Sequence, residues 1–475
     1  MGDTTTRARQ RGPTASARLR QVVVVSVICL ALYCFLLVPD HSLDSSRTVL
    51  DTFPGPNSHS SSHPHSHPNP NAKAKKLPEA LLANRFLTTA QCAAAFPGLT
   101  REVDAAVSKG PFALARNAHG LGPLVARIRA GQLSILSYAR RADLSKDMLQ
   151  HRSASLHQIA AALLTAPPGE PVPDTVFAFN HEDDPAPAAW SYARPADPAF
   201  DAPAKHYFAA PHFGFYAWAR PTVRSFAHAA RAIAALEART PFAAKTPRAV
   251  WRGTTWFNHP RAPRARQALV AATRDAAWAD VQALHANGSN ALDIADFCGY
   301  RYVVHTEGVT YSGRFQYHQL CGSVVLAPPL AWMQHLTHLA RPAFSHLLDG
   351  VERTPIADDG SKKALPPYPA PWVRAAWPIA YDPATEANIV FVAPDWSDLE
   401  ATVDWLERHP KIAEGIARRQ RELFDGGGYF SPAAEMCYWR ALMRGWSQVA
   451  RTDGQGFEEL EEIPWEEFSL KEIHK

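Results

Sequence analysis

The stretch from Tyr300 to Leu326, YRYVVHTEGVTYSGRFQYHQLCGSVVL, constrains the fold of this chain more than any other. Tyr300 to His305 is aromatic and β-branched, the composition of a strand. Gly308 breaks it, Ser312, Gly313 and Arg314 open an expected helix, and Val324-Val325-Leu326 is a second apolar strand. Strand, turn, helix, strand is the form of a βαβ unit. In such a unit the unpaired N–H groups and positive dipole end of the helix face the space beyond the first strand, so a phosphate docks there. Arg314 adds a guanidinium able to hold a diphosphate in two places.

The same alternation runs along the chain. Ala80 to Ala166 reads as mostly helical. Thr175 to Asn180 (TVFAFN) is a short strand that delivers the polar turn His181-Glu182-Asp183-Asp184-Pro185. A strand whose carboxyl end carries acidic residues into a loop is where α/β folds place their chemistry. Thr222 to Arg239 is an amphipathic helix, Ala249 to Arg252 a strand, Pro263 to Thr273 a helix and Asn388 to Val392 a strand. Ser397 and Glu400 have capping-box spacing for a helix through Arg408. Ser431-Pro432 begins the last expected helix, with Ser at the cap and Pro at the first position. The pattern implies an α/β protein with two Rossmann-like domains facing a cleft, the architecture called GT-B.

The N-terminus sets the expected compartment. Residues 1–21 carry Arg7, Arg9, Arg11, Arg18 and Arg20, and residues 22–38 are a nearly continuous apolar run without charge. That run is about the minimum length to span a bilayer, and its basic flank stays in the cytosol. Residues 39–78, rich in Ser, His and Pro, cannot bury enough apolar surface to fold and read as a disordered stalk. His59, His63, His65 and His67 in that stalk lack the carboxylate or Cys partners of a metal site. The sequence ends Glu472-Ile473-His474-Lys475, without a KDEL-type signal. A type II Golgi membrane protein with a luminal body is the expectation, with the endoplasmic reticulum as second choice. The body divides into 79–240, 241–425 and a C-terminal segment, 426–475, returning to the first domain. A formal charge of +4 argues against a nucleic-acid partner. Cys92, Cys298, Cys321 and Cys437 lie beyond the anchor, an even number that suggests disulfides with three connectivities open.

Several spaced elements resemble glycosyltransferase family 90, which holds the protein O-glucosyltransferases and the fungal capsule-associated (CAP10-domain) xylosyltransferases. They are Asp296-Phe297-Cys298-Gly299-Tyr300-Arg301-Tyr302, Gly308 through Arg314, Leu320-Cys321-Gly322-Ser323, and, upstream, Trp251-Arg252-Gly253-Thr254. The resemblance runs from about Asp174 to about Trp439. It implies a GT-B fold, a UDP-sugar co-substrate and no metal. It also implies a Cys298–Cys321 bridge, which leaves Cys92 with Cys437. Asn180-His181-Glu182-Asp183-Asp184-Pro185 resembles the family's Asn-x-x-Asp-x-Pro turn, whose Asp is the catalytic base; the role falls on Asp183, with Glu182 and Asp184 as neighbours.

An inverting transferase needs a base for the acceptor hydroxyl and positive charge for the departing diphosphate. On the donor side the candidates are Arg252, Gly253, Thr254 and Arg261 after one strand, and Gly308, Val309, Thr310, Ser312 and Arg314 after the next. Gly253 would let the backbone approach the nucleotide. The Trp256-Phe257-Asn258-His259 stretch departs from the family's small polar one, which leaves Arg264 and Arg266 as rivals to Arg261. Tyr311 and Gly313 depart from the commonest family residues. Phe213, Phe215 and Trp218 are candidates for the sugar or acceptor pocket, since aromatic rings stack on apolar sugar faces. Glu182-x-Asp184 is only a loose mimic of the Asp-x-Asp that holds a metal on a diphosphate. Asn287-Gly288-Ser289 is a glycosylation sequon. The expected activity is inverting, metal-independent transfer of xylose or glucose from UDP-xylose or UDP-glucose to a glycan or glycoprotein hydroxyl. A metal-dependent transferase of GT-A type and a non-catalytic sugar-binding protein are the alternatives.

Overall fold

The computed structural model describes residues 76–116, 123–202, 204–354 and 367–474, which belong to one compact unit. The expected membrane span at 22–38 and nearly all of the stalk lie outside the described residues. Among the described residues no helix is long and apolar enough to cross a membrane.

The chain is mixed α/β, with two six-stranded sheets. One sheet is wholly parallel. Its strand order is Ala279–Ala283, Thr246–Gly253, Tyr300–Val304, Val324–Ala327, Ile389–Phe391, Pro342–Phe344. Both faces are covered, as a parallel sheet requires. Ala249, Trp251, Tyr302 and Val304 pack on one side with Trp405, Leu406 and Ala413. Val250 and Val303, one residue out of phase, join the other core. The helix Leu399–Arg408 is fastened at Glu407, whose carboxylate accepts from Tyr302 at 2.6 Å and Arg301 at 2.7 Å.

The strand order places a reversal inside this sheet. The chain runs from Thr246–Gly253 outward to Ala279–Ala283, then crosses back to Tyr300–Val304 on the other side. Crossovers leaving in opposite directions mark the position, beyond the carboxyl ends of the two central strands, where ligands of open α/β sheets bind. The loops at that point are 254–264 and 305–314.

The second sheet has the order Ile463–Pro464, Gln132–Ser137, Leu124–Arg129, Thr175–Phe179, Ala189–Ser191, Tyr207–Ala209. It is antiparallel at one edge and parallel at the other. The helix Pro432–Val449 returns to this sheet. Trp446 donates to Val176 O at 2.9 Å, Tyr438 to Ala209 O at 2.6 Å, and Trp439 to Gln158 at 3.1 Å. The Cys92–Cys437 disulfide ties this helix to the helix Thr89–Ala95, and Cys298–Cys321 is the second bridge.

Four local expectations are corrected. Residues 124–137 form a hairpin rather than helix, turned at Ala130 and Gly131 with φ of 50° and 75°. The capping box at Ser397 does not form. The helix starts after Asp398, whose carboxylate is drawn away to Ala393 N and Ser345, and Ser397 instead donates to Asp395. The helix opened by Ser431 is capped as expected, but a further helix, Trp465–His474, follows it. Finally, the helix expected after Arg314 is a single turn, Phe315–His318. One turn aligns few peptide dipoles, so positive charge at this point rests on guanidinium groups.

Candidate functional site

Two arginines meet at the reversal point. Arg266 lies at the start of the helix Ala265–Ala272 and is buried. Its backbone N–H donates to Asn258 at 2.9 Å, which folds the 254–264 loop back onto the helix. Its guanidinium donates to Thr254 O at 3.0 Å, and to Glu307 O at 2.9 and 3.1 Å. It therefore joins the two loops using only carbonyl acceptors. Arg314 donates to Arg252 O and lies over the Phe297 ring at 6.0 Å. Among the described residues neither arginine makes an ion pair. Burial pulls Arg266 down to about 9, with the Arg314 charge adding to it, and burial pulls Arg314 down to about 10. Both stay charged at neutral pH, so like charges converge without a counter-ion.

The neighbouring groups do not cancel that charge. His305 is pushed down to about 3 by burial and by the Arg314 and Arg266 charges, so it is neutral. His318 is buried, far below its ordinary value, and neither ring nitrogen has a hydrogen-bond partner. Glu307 is pushed up to about 8 by burial, opposed by the N–H groups of Ala331 and Trp332, each 3.0 Å away. It is mostly protonated at neutral pH. The local charge is that of two guanidiniums, which suits a ligand with at least two negative charges.

Asp183 reaches the same loop from the other sheet. It follows the strand Thr175–Phe179, and Asn180 shapes the turn: its amide donates to Asp184 O at 2.6 Å and its oxygen accepts from Glu182 N at 3.3 Å. Asp183 O accepts from Thr310 at 2.8 Å, and its carboxylate accepts from Tyr311 at 3.3 Å. Glu182 and Asp184 are exposed and make neither contact. Asp183 is exposed like both neighbours, and what sets it apart is these two contacts; the protein around its carboxylate raises its pKa, and the Tyr311 hydroxyl partly offsets this. A carboxylate poised upward is the form a general base takes.

The other sequence candidates divide. Thr254, Gly308, Val309, Thr310 and Ser312 all fall on the two loops; Val309 is 47% exposed and Ser312 is half-buried. Arg252 is committed elsewhere: it pairs with Asp280 at 2.8 Å and donates to Asn290 O, leaving only its carbonyl for Arg314. Arg261 pairs with Asp197 at 2.8 Å and stacks over Phe200 at 4.2 Å. Of the rivals left by the sequence, Arg266 lies close enough to Arg314 to feel its charge. Gly253 is required for a different reason from the one expected, because a Cβ there would lie 2.5 Å from the Trp251 indole. Gly313 is explained likewise: a Cβ would lie 2.5 Å from the His212 ring, which fills that space. Phe213 and Phe215 are core residues, packed against His151 and Phe430 respectively, whereas Trp218 stays half-buried beside His212 and Gly313. Asn287 is exposed on a turn, its side chain accepting from Ser289 N. Among the described residues no cluster of three or more His, Cys, Asp or Glu could hold a metal ion.

Sequence reasoning passed over Glu307 and His212. Glu307 follows the strand as part of His305-Thr306-Glu307-Gly308, and an acidic residue directly before a loop glycine was its only signal. His212 carries no signal beyond its place before Phe213.

Comparison with known proteins now bears on this geometry. Residues 135–347 match the family model described as Glycosyl transferase family 90, a span that contains Asp183, Arg266, Glu307 and Arg314. It is the family whose motifs the sequence resembles. A relative described as an O-glucosyltransferase rumi homolog, from Anopheles gambiae, is 25% identical over 224 residues. The alignment covers 45% of this chain and 45% of the relative, so the chain matches less than half the length of that protein.

Proposed function

We propose that this protein is an inverting glycosyltransferase of GT-B type that moves xylose or glucose from a UDP-sugar to a hydroxyl of a glycan or glycoprotein. The observation that carries the proposal is the pair Arg266 and Arg314, free of carboxylate partners among the described residues and tied by loop contacts to Asp183. In the reaction, Asp183 takes the proton of the acceptor hydroxyl, and that oxygen attacks the anomeric carbon from the face opposite the nucleotide. The bond from that carbon to the diphosphate oxygen breaks, and its electron pair leaves with UDP. Arg266 and Arg314 hold the charge that develops there, which lowers the barrier because they are oriented before the step begins. Thr254 and Ser312, with hydroxyls at the loop edges, are suited to phosphate oxygens.

Positive charge from arginine alone is sufficient for the leaving group, so the proposed activity needs no metal. The two disulfides support a secretory compartment, since such bonds persist under oxidising conditions. An anchor at 22–38 and a Golgi location complete the proposal, with occupancy of Asn287 by an N-glycan following from it. The test is hydrolysis of a panel of UDP-sugars by the purified protein, with and without EDTA. Release of UDP from UDP-xylose or UDP-glucose, unaffected by EDTA, is expected. Activity abolished by EDTA and restored by Mn²⁺ would overturn the metal-independent mechanism, and no UDP release from any donor would overturn the enzyme.

A further inference from the structure

The 254–264 loop, which Arg266 fastens at Thr254 O, exposes two large aromatic residues. Trp256 is 68% exposed and Phe257 48%, with ring centroids 5.9 Å apart. Their exposure is not slack in the chain. Asn258 donates to Thr255 O at 2.7 Å and to Gln267 at 3.1 Å, and its oxygen accepts the Arg266 N–H. Arg266 in turn holds Thr254 O. Trp256 and Phe257 therefore form the tip of a turn closed on both sides and fastened to a diphosphate-facing arginine. Val309, 47% exposed, lies on the adjacent loop beside Thr310, which holds Asp183.

Resting on the proposed transferase activity, we infer that Trp256 and Phe257 are an acceptor platform for a saccharide chain. Pyranose rings present flat C–H faces, and an aromatic ring open on one side is the surface that takes them. A nucleobase held in a transferase needs an enclosed slot, whereas a residue this exposed leaves room for a ligand that continues into solvent. A membrane-inserting tip would have to stand clear of the body, and this turn is pinned to it through Arg266.

The experiment uses the whole purified protein, first saturated with UDP, on an array of immobilised manno-, galacto-, xylo- and gluco-oligosaccharides. Wild-type protein is expected to bind at least one class. W256A together with F257A is expected to lose ten-fold or more of that binding, with W256F restoring most of it and UDP affinity by calorimetry unchanged within two-fold. Wild-type protein that binds UDP but no oligosaccharide would overturn the platform while leaving the transferase intact. UDP affinity falling with the aromatic variants would reassign the pair to the nucleobase, and loss of binding to phosphatidylcholine–phosphatidylserine vesicles would reassign it to a membrane; either overturns the inference. Failure of the wild type to bind UDP would overturn the transferase and the platform together.

Discussion

Replacing Arg314 by Met separates a ligand site from a structural arginine, because the two roles predict opposite signs for stability. The side chain keeps its stem over Phe297 and loses its charge. In the free protein, burial holds Arg314 down to about 10, a penalty on the order of 3 kcal/mol at neutral pH, where the group is charged in both folded and unfolded states. Its hydrogen bond to Arg252 O offsets part of that, and leaving the carbonyl without a donor costs about 1–3 kcal/mol. These nearly cancel, so the unfolding midpoint of R314M should match or exceed wild type. The same change also relieves Arg266, which the Arg314 charge helps to depress. UDP binding moves the other way. A charge-assisted hydrogen bond contributes about 1.5–3 kcal/mol, so the dissociation constant should rise about 10- to 150-fold. Calorimetric titration with UDP and urea denaturation on one preparation measure both. UDP affinity within two-fold of wild type, or a weaker affinity with a sharply lower midpoint, would refute the reasoning.

Four further outcomes follow from the site and its supports. D183N should lose about 10²- to 10⁴-fold in turnover while keeping its UDP affinity, measured by UDP release and calorimetry. Because the protein around its carboxylate raises the Asp183 pKa and the group must be ionised to act, kcat/KM should fall as pH drops through that pKa; Y311F, which removes the hydrogen bond opposing the rise, should move this acid limb to higher pH. Glu307 binds a proton in the folded state up to about pH 8 but only to about 4 when unfolded. The folded state thus holds the extra proton between these values, so stability should fall as pH rises from about 5 to 8, and E307Q should flatten that slope in pH-dependent thermal melts. Replacing Cys298 and Cys321 by Ser opens a loop with a sequence separation of 23 residues and should cost about 3 kcal/mol by denaturation under non-reducing conditions.

The parallel sheet was legible because its strands are buried on both faces and read as short apolar runs, as at Val324-Val325-Leu326. The disulfide pair at Cys298 and Cys321 was legible through the family's motif. The hairpin at 124–137 was not. Its strands carry Arg127 and Arg129, and Arg127 is buried only because Glu458 and Glu462, more than three hundred residues later, pair with it. Its turn uses Ala130-Gly131 in place of the Asn-Gly or Asp-Gly that marks a two-residue hairpin. The choice among Arg261, Arg264 and Arg266 was equally closed to sequence. It depends on Asn258 folding the loop so that the helix start, and not the loop, delivers a guanidinium. Asp183 was singled out from its acidic neighbours by the resemblance to the family's Asn-x-x-Asp-x-Pro turn, a turn that Asn180 shapes here by donating to Asp184 O.

The most direct test of the central claim is a crystal structure of the protein with UDP bound. The two phosphates should lie between the Arg266 and Arg314 guanidiniums, beyond the carboxyl ends of Thr246–Gly253 and Tyr300–Val304, with the Asp183 carboxylate facing the terminal phosphate across the space a sugar would fill. A diphosphate held elsewhere, or one that leaves both guanidiniums on their carbonyl acceptors with no contact to it, would contradict the account.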